Sequence, residues 1–195
     1  WGATDSDESK PKNLTTAQKK QVFANASGWV LEAGSALSGN DNTDADPEVL
    51  VAIGDLSTSI GAADITEVEM VTTTADKSEG FTISVRVRYN EPVDVVTTGG
   101  TPTLAVTNGN EGTGTGRGPH TLSYASGTGT NELIFSLAIA AANAATNADD
   151  VLTVGAQNIA LNSGTIKDAS GTASDAAVAI SSAQGTAAGS VTVTA

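Results

Sequence analysis

Four groups of residues have the types and spacing to do chemistry, and each can be tested against what that chemistry requires. His120 is the only histidine, so a Ser-His-Asp relay would have to pass through it. It follows a glycine-rich loop and has no acid close by in sequence, which favours a solvated turn residue over a base. Gly112-x-Gly-x-Gly-x-Gly118 has the composition of a phosphate cradle. It lies between two predicted strands rather than ahead of a helix, and it lacks the Gly-Lys-Ser/Thr ending, so a hairpin loop is the better reading. Asp41, Asp44, Asp46 and Glu48 are spaced like ligands of a hard cation, but the segment lacks the central glycine and the distal bidentate acid of an EF-hand loop. Asp149 and Asp150 are adjacent carboxylates in a loop with no cleft partner in view, which leaves glycosidase chemistry unsupported. No nucleophile, base and orienting group assemble in a plausible order, and the expectation is a mechanical or adhesive protein without catalysis, metal or cofactor.

The element that positions the rest is Phe81-Thr-Ile-Ser-Val-Arg-Val-Arg-Tyr89, in which five apolar residues alternate with Thr82, Ser84, Arg86 and Arg88. A period of two over nine residues is a strand with one dry face, because a helix would scatter those side chains around its circumference. Asn90-Glu91-Pro92 should break it, since proline cannot donate to a ladder. Ile65 to Val71 reads as a strand before it, with Ala75 to Gly80 as the turn between. Thr103 to Thr107, His120 to Ala125, Glu132 to Ile139, Val151 to Val154, Ile159 to Leu161, Ile166 and Ala177 to Ile180 follow, separated by turns. Leu133, Phe135, Leu137 and Ile139 alternate after Ser126-Gly-Thr-Gly-Thr-Asn131, which predicts a hairpin with the strand carrying Leu122 and Tyr124. Short strands at such spacing predict an all-β fold, an antiparallel sandwich of about seven strands over residues 61–185, with 186–195 as a C-terminal strand or tail.

Residues 1–60 read differently. Thr15-x-x-Gln18 is a capping box that opens a short helix predicted over Thr16 to Asn25. Gly28 to Leu31 is a brief apolar anchor, Gly34 to Pro47 a polar turn, and Glu48 to Ile53 a short apolar strand. The apolar patches are separated by long polar intervals, so the segment is expected to be an extended arm without a core of its own, ordered across a partner. The docking residues expected on it are Trp1, Lys10, Lys12, Phe23, Trp29, Leu50, Val51 and Ile53.

Composition narrows the partners. The 195 residues carry a formal net charge of −13, with 39% hydrophobic but only 4% aromatic residues. The long-range field disfavours nucleic acid and anionic membrane surfaces. The few aromatics suit a thin two-layer core better than a deep pocket. Lys10, Lys12, Lys19 and Lys20 nevertheless make a local basic segment. There are no cysteines, which excludes disulfides and thiolate metal sites. No apolar run approaches the ~20 residues of a membrane-spanning helix. The opening Trp1-Gly-Ala-Thr-Asp is not a basic and apolar leader, so a leader would have to have been removed, or the protein would leave the cell by another route such as lysis.

Four phrases, in order, resemble a bacterial and phage Ig-like domain over about residues 64–182: Phe81-x-Ile-x-Val-x-Val-x-Tyr-Asn-Glu-Pro-Val93, Thr101-Pro-Thr-Leu104, Tyr124-Ala-Ser-Gly-Thr-Gly-Thr-Asn-Glu-Leu133 with Phe135, and Ile159-x-Leu-x-Ser-Gly-Thr-Ile-x-Asp168-x-x-Gly171. The resemblance implies an Ig-like sandwich and says little of function, since this domain is reused in many settings. Over about residues 1–56, Trp1-Gly-Ala-Thr-Asp, Lys10-Pro-Lys with Leu14-Thr, Val22-Phe-Ala24, Gly28-Trp-Val30 and Leu50-Val-Ala-Ile-Gly54 resemble the opening segment of virion structural proteins of marine, especially cyanobacterial, tailed phages. Together these imply a capsid decoration protein on the virion surface, docked on the major capsid protein or other virion subunits. The alternatives are a tail or neck fibre protein, or an extracellular adhesion or carbohydrate-binding module of a bacterial cell surface. Host-surface glycans are then a further class of partner.

Overall fold

The computed structural model describes residues 9–35, 37–109, 119–170 and 173–195. The chain is all-β, a curled sandwich-like arrangement with two short helices. Three antiparallel strands come first, β1 (Val22–Asn25), β2 (Gly28–Leu31) and β3 (Glu48–Ala52). A curled sheet follows, made of β4 (Ile65–Met70), β5 (Ala75–Asp76), β6 (Phe81–Val96), β7 (Thr103–Gly109), β8 (His120–Ser126), β9 (Thr130–Ile139), β10 (Val151–Thr153), β12 (Thr165–Asp168) and β14 (Ser190–Thr194). Between these last three, β11 (Gln157–Asn158) pairs with β13 (Ala179–Ile180).

The long strand β6 is the spine of that sheet. Ile83, Val85 and Val87 are fully buried and pair with Leu137, Phe135 and Leu133 of β9, so the same-face neighbours are apolar on both strands. On β4, Met70 and Val68 sit opposite Val85 and Val87 and extend the same dry face. The predicted β8–β9 hairpin is present, with Tyr124 opposite Phe135 and their rings edge to face at 6.1 Å.

Pro92 does not end the strand. β6 runs on to Val96 through a bulge between Arg88 and Val93, which absorbs the missing donor. The Pro92 carbonyl accepts from Ala169 N–H at 3.0 Å, and Asn90 exchanges bonds with Asp64, accepting its N–H at 2.6 Å through Oδ1. β12 then pairs with the continuation, Ile166 opposite Val95. Residues expected to form the turn at Ala75 instead add the two-residue β5, parallel to β14.

The last segment belongs to the sandwich. Val191 and Val193 of β14 are buried, and the strand lies between β10 and β5. It is delivered by α2 (Ser182–Ala187), opened by a capping box between Ser181 and Gln184 that the pattern Ser-x-x-Gln announces. The side-chain amide of Gln184 also donates to the Ile65 carbonyl at 2.7 Å, tying the helix to β4.

Residues 9–60 are not an extended arm. The capping box at Thr15 opens a helix of four residues only, α1 (Thr16–Lys19), and Val22 to Asn25, predicted as its continuation, is strand β1. The reason is the two-residue hairpin after it: Asn25 pairs with Gly28, Asn25 Oδ1 accepts from Ser27 N–H at 2.7 Å, and β-branched Val22 and aromatic Phe23 suit a pleated surface. Gly28 has φ 133° and lies so close to β3 that a Cβ there would collide with the Val51 carbonyl. The apolar patches, separate in sequence, therefore fold onto one another. Val22, Ala24, Trp29, Leu31, Leu56 and Ile60 make a second core, with Leu14, Leu50 and Ile53 packed against it.

Candidate functional site

The docking residues expected from sequence divide into three sets. Trp1 lies outside the described residues, as does the Gly112–Gly118 loop. Trp29 is 2% exposed inside the second core, with Leu50 and Ile53 against it, and Phe23 is buried at the rim of a cleft. Trp29 holds its own unit together and cannot face a partner without unfolding it, while Leu50 and Ile53 are half-buried against that core. Lys10 is buried too, its ammonium donating to the Lys19 carbonyl at 2.7 Å, so it caps α1 rather than steering an encounter. Lys12 and Val51 remain exposed.

Val51 stands on β3 beside a residue that the sequence reading did not single out. Val49 and Val51 alternate with Leu50, so when Leu50 turns toward the core the two valines turn outward, 49% and 39% exposed. β3 is an outer strand of its sheet, and among the described residues nothing pairs with its second side. Asp41, Asp44, Asp46 and Glu48 lie exposed along the approach to it. No group of three metal-ligating side chains converges among the described residues, so those acids form a charged margin of the strand.

The second feature is built on the polar face of β6. Its alternation sends Arg86 and Arg88 away from the core, and the registers of β4 and β9 put carboxylates opposite them: Glu69 opposite Arg86, Glu67 and Glu132 opposite Arg88. Arg88 Nη1 meets Glu67 Oε2 at 2.7 Å, its Nε contacts Glu132, and its Nη2 reaches Glu32 of the N-terminal unit at 3.2 Å. Arg86 contacts Glu69 and lies 3.5 Å from Glu132, while Lys20 reaches Glu67 at 3.0 Å. The N-terminal sheet covers this face, and Arg88 is left only 7% exposed.

Burial and the hydrogen bond with Glu132 push the Glu32 carboxyl up to about 8 against the pull of the Arg88 charge. Burial works the same way on Glu132, but its hydrogen bonds with Glu32 and Arg88 outweigh it and hold that carboxyl below its ordinary value. Two carboxyls whose affinities are driven apart have the signature of an acid and a base. Here both are bonded to one guanidinium beside a cleft of about 740 Å³. The arrangement joins two parts of the chain.

His120 is not the solvated turn residue expected. It opens β8, is 6% exposed, and its Nε2 lies 3.1 Å from Thr146 Oγ1. Burial lowers its affinity for a proton. Asp150 is buried and its Oδ2 accepts from Asn147 N–H at 2.7 Å.

No family model matches the chain, and no curated protein or solved structure matches it either. No helix among the described residues is long and apolar enough to cross a membrane.

Proposed function

We propose that the chain is a structural virion protein of a tailed phage, a capsid decoration protein that docks on shell subunits through residues 9–60 and displays an Ig-like domain. The observation that carries the docking half of this reading is β3, an outer strand with Val49 and Val51 facing outward and an acidic margin beside it. An unpaired strand edge is a template for another chain, and most proteins blunt it with lysine, proline or a covering loop. This edge carries valines instead, which suits strand addition: main-chain bonds to a shell subunit supply affinity and the valines fill its alternate pockets. The acidic margin selects a basic rim on that subunit.

The display half rests on the four ordered phrases of the Ig-like resemblance, three of which fall on β6, β7 and the β8–β9 hairpin of one curled sheet. Particles that lack the chain, mixed with the full-length protein, test the reading. Shell-wide symmetric density that is lost with Val49→Lys/Val51→Lys is the expected result. Full occupancy by that variant would show that β3 is not the anchor. Recovery of the protein only from cell envelopes would favour the adhesion module, and density at a single vertex a tail or neck role.

A further inference from the structure

Strand β1 separates two environments. Val22 and Ala24 turn into the second core, so Gln21, Phe23 and Asn25 turn the other way and line the cleft of about 740 Å³. The start of β9 lines it too, at the place where the β6–β9 ladder opens. Arg88 pairs with Glu132 and Val93 with Thr130, which leaves Asn131 facing the bulge from Tyr89 to Pro92. Asn131 is 6% exposed, and among the described residues nothing bonds to its side-chain amide. Neither atom of that amide is sealed from water, so the group opens onto the cleft. Buried polar groups are as a rule hydrogen-bonded, and this one calls for a partner from outside the chain.

The other groups in the cleft define what that partner is. Gln21 and Asn25 are half-buried amides whose oxygens accept from Ser35 Oγ and, at 2.7 Å, from Ser27 N–H, while among the described residues their NH2 groups donate to nothing. The charges are engaged with one another: Arg88 holds Glu32 and Glu132, and Arg86 lies 3.5 Å from Glu132. A charged ligand would have to break these pairs, and the net charge of −13 turns anions away. An apolar ligand would strand the amides without partners. Hydroxyl groups fit, because each can accept from an amide N–H and donate to a Glu132 oxygen, whereas the C=O or N–H of a peptide does only one of the two. Phe23 and Pro92 supply apolar surface for the faces of a ring.

We propose that this cleft binds a neutral saccharide, with Asn131, Asn25 and Gln21 holding its hydroxyl groups and Glu132 accepting from one of them. The cleft has the volume of small-ligand sites, ~300–1,000 Å³, and takes a short oligosaccharide or the end of a longer chain. Its lining comes from β1 and β9 together, so the N-terminal unit and the sandwich are both needed for binding. Among the described residues none of β3 lines it, and the site does not rest on the docking reading.

Nuclear magnetic resonance titration of the isotope-labelled full-length chain tests it, with short oligosaccharides of glucose, mannose, galactose and N-acetylglucosamine as probes and N-acetylneuraminic acid as the anionic control. At least one neutral probe at millimolar concentration should shift the side-chain amide signals of Gln21, Asn25 and Asn131, and the anionic control should not. Asn131→Ala should weaken that binding about tenfold or more while the melting temperature stays nearly unchanged, since the amide bonds to nothing in the chain. Val49→Lys/Val51→Lys should bind the saccharide as wild type does, which separates this site from the β3 edge. If Asn131→Ala fails to fold, the wild-type amide shifts and a weakened Gln21→Ala still decide. The proposal is overturned by the absence of any shift with the neutral probes, by shifts that bypass these three amides, by full affinity in Asn131→Ala, or by a preference for N-acetylneuraminic acid.

Discussion

Arg88 Nη2 and Glu32 Oε2 stand 3.2 Å apart across the junction of the N-terminal sheet and the sandwich, so the central strand of one unit is tied to the other by a buried charge. The guanidinium also serves Glu67 and Glu132. Burial opposes its charge, and the contacts to Glu132, Glu32 and Glu67 hold it protonated. Arg88→Ala should therefore cost about 3–5 kcal/mol, because it leaves three carboxyls without their common partner. Arg86→Ala, at a pair with side chains 28% and 45% exposed, should cost about 1 kcal/mol or less. Urea unfolding of the two variants checks the difference, and equal losses would remove Arg88 from its central place.

Trp29→Ala should destabilise by about 3–5 kcal/mol, since it empties the middle of the second core. Any loss of docking by that variant would follow from unfolding. Val51→Lys should leave stability within about 0.5 kcal/mol and still reduce particle binding. Thermal melts run beside binding assays separate the two, and a stable Trp29→Ala variant that fails to dock would return the tryptophan to the docking surface.

Gly28→Ala should cost more than the ~1 kcal/mol of an ordinary glycine replacement, because the residue needs positive φ and the new methyl meets the Val51 carbonyl. The expected readout is a fall in the unfolding midpoint with loss of the Trp29 fluorescence environment. An unchanged midpoint would mean that β3 moves aside without penalty.

His120 contributes to the acid limb of stability. Burial lowers its pKa from 6.5, so the unfolded chain binds the proton first and stability falls as pH drops below about 6.5 toward the folded value. A His120→Gln variant should flatten that limb in a series of melts against pH. Glu32 acts in the opposite sense, its contribution falling as pH rises from 4.5 toward about 8.

Sequence alone determined the local geometry of the sandwich. The alternation from Phe81 to Tyr89 assigned a strand and its dry face, because side chains on a pleated strand can only alternate. Thr15 with Gln18 marked a helix start, and Ser126 to Asn131 marked the β8–β9 turn, since both motifs satisfy backbone groups within a few residues. Only the tertiary structure decided what covers each surface. Periodicity labels Arg86 and Arg88 as polar-face residues, but it cannot say that the N-terminal sheet will bury them, since Glu32 lies over 50 positions away in the chain and no local interaction selects it. The same holds for Trp29, which a short apolar patch presents equally well to a partner or to its own chain. The Asn25 to Gly28 hairpin and the return of β3 settle that choice by bringing Leu50 and Ile53 to it, and they leave Val49 and Val51 outside because a strand with one face buried must show its other face.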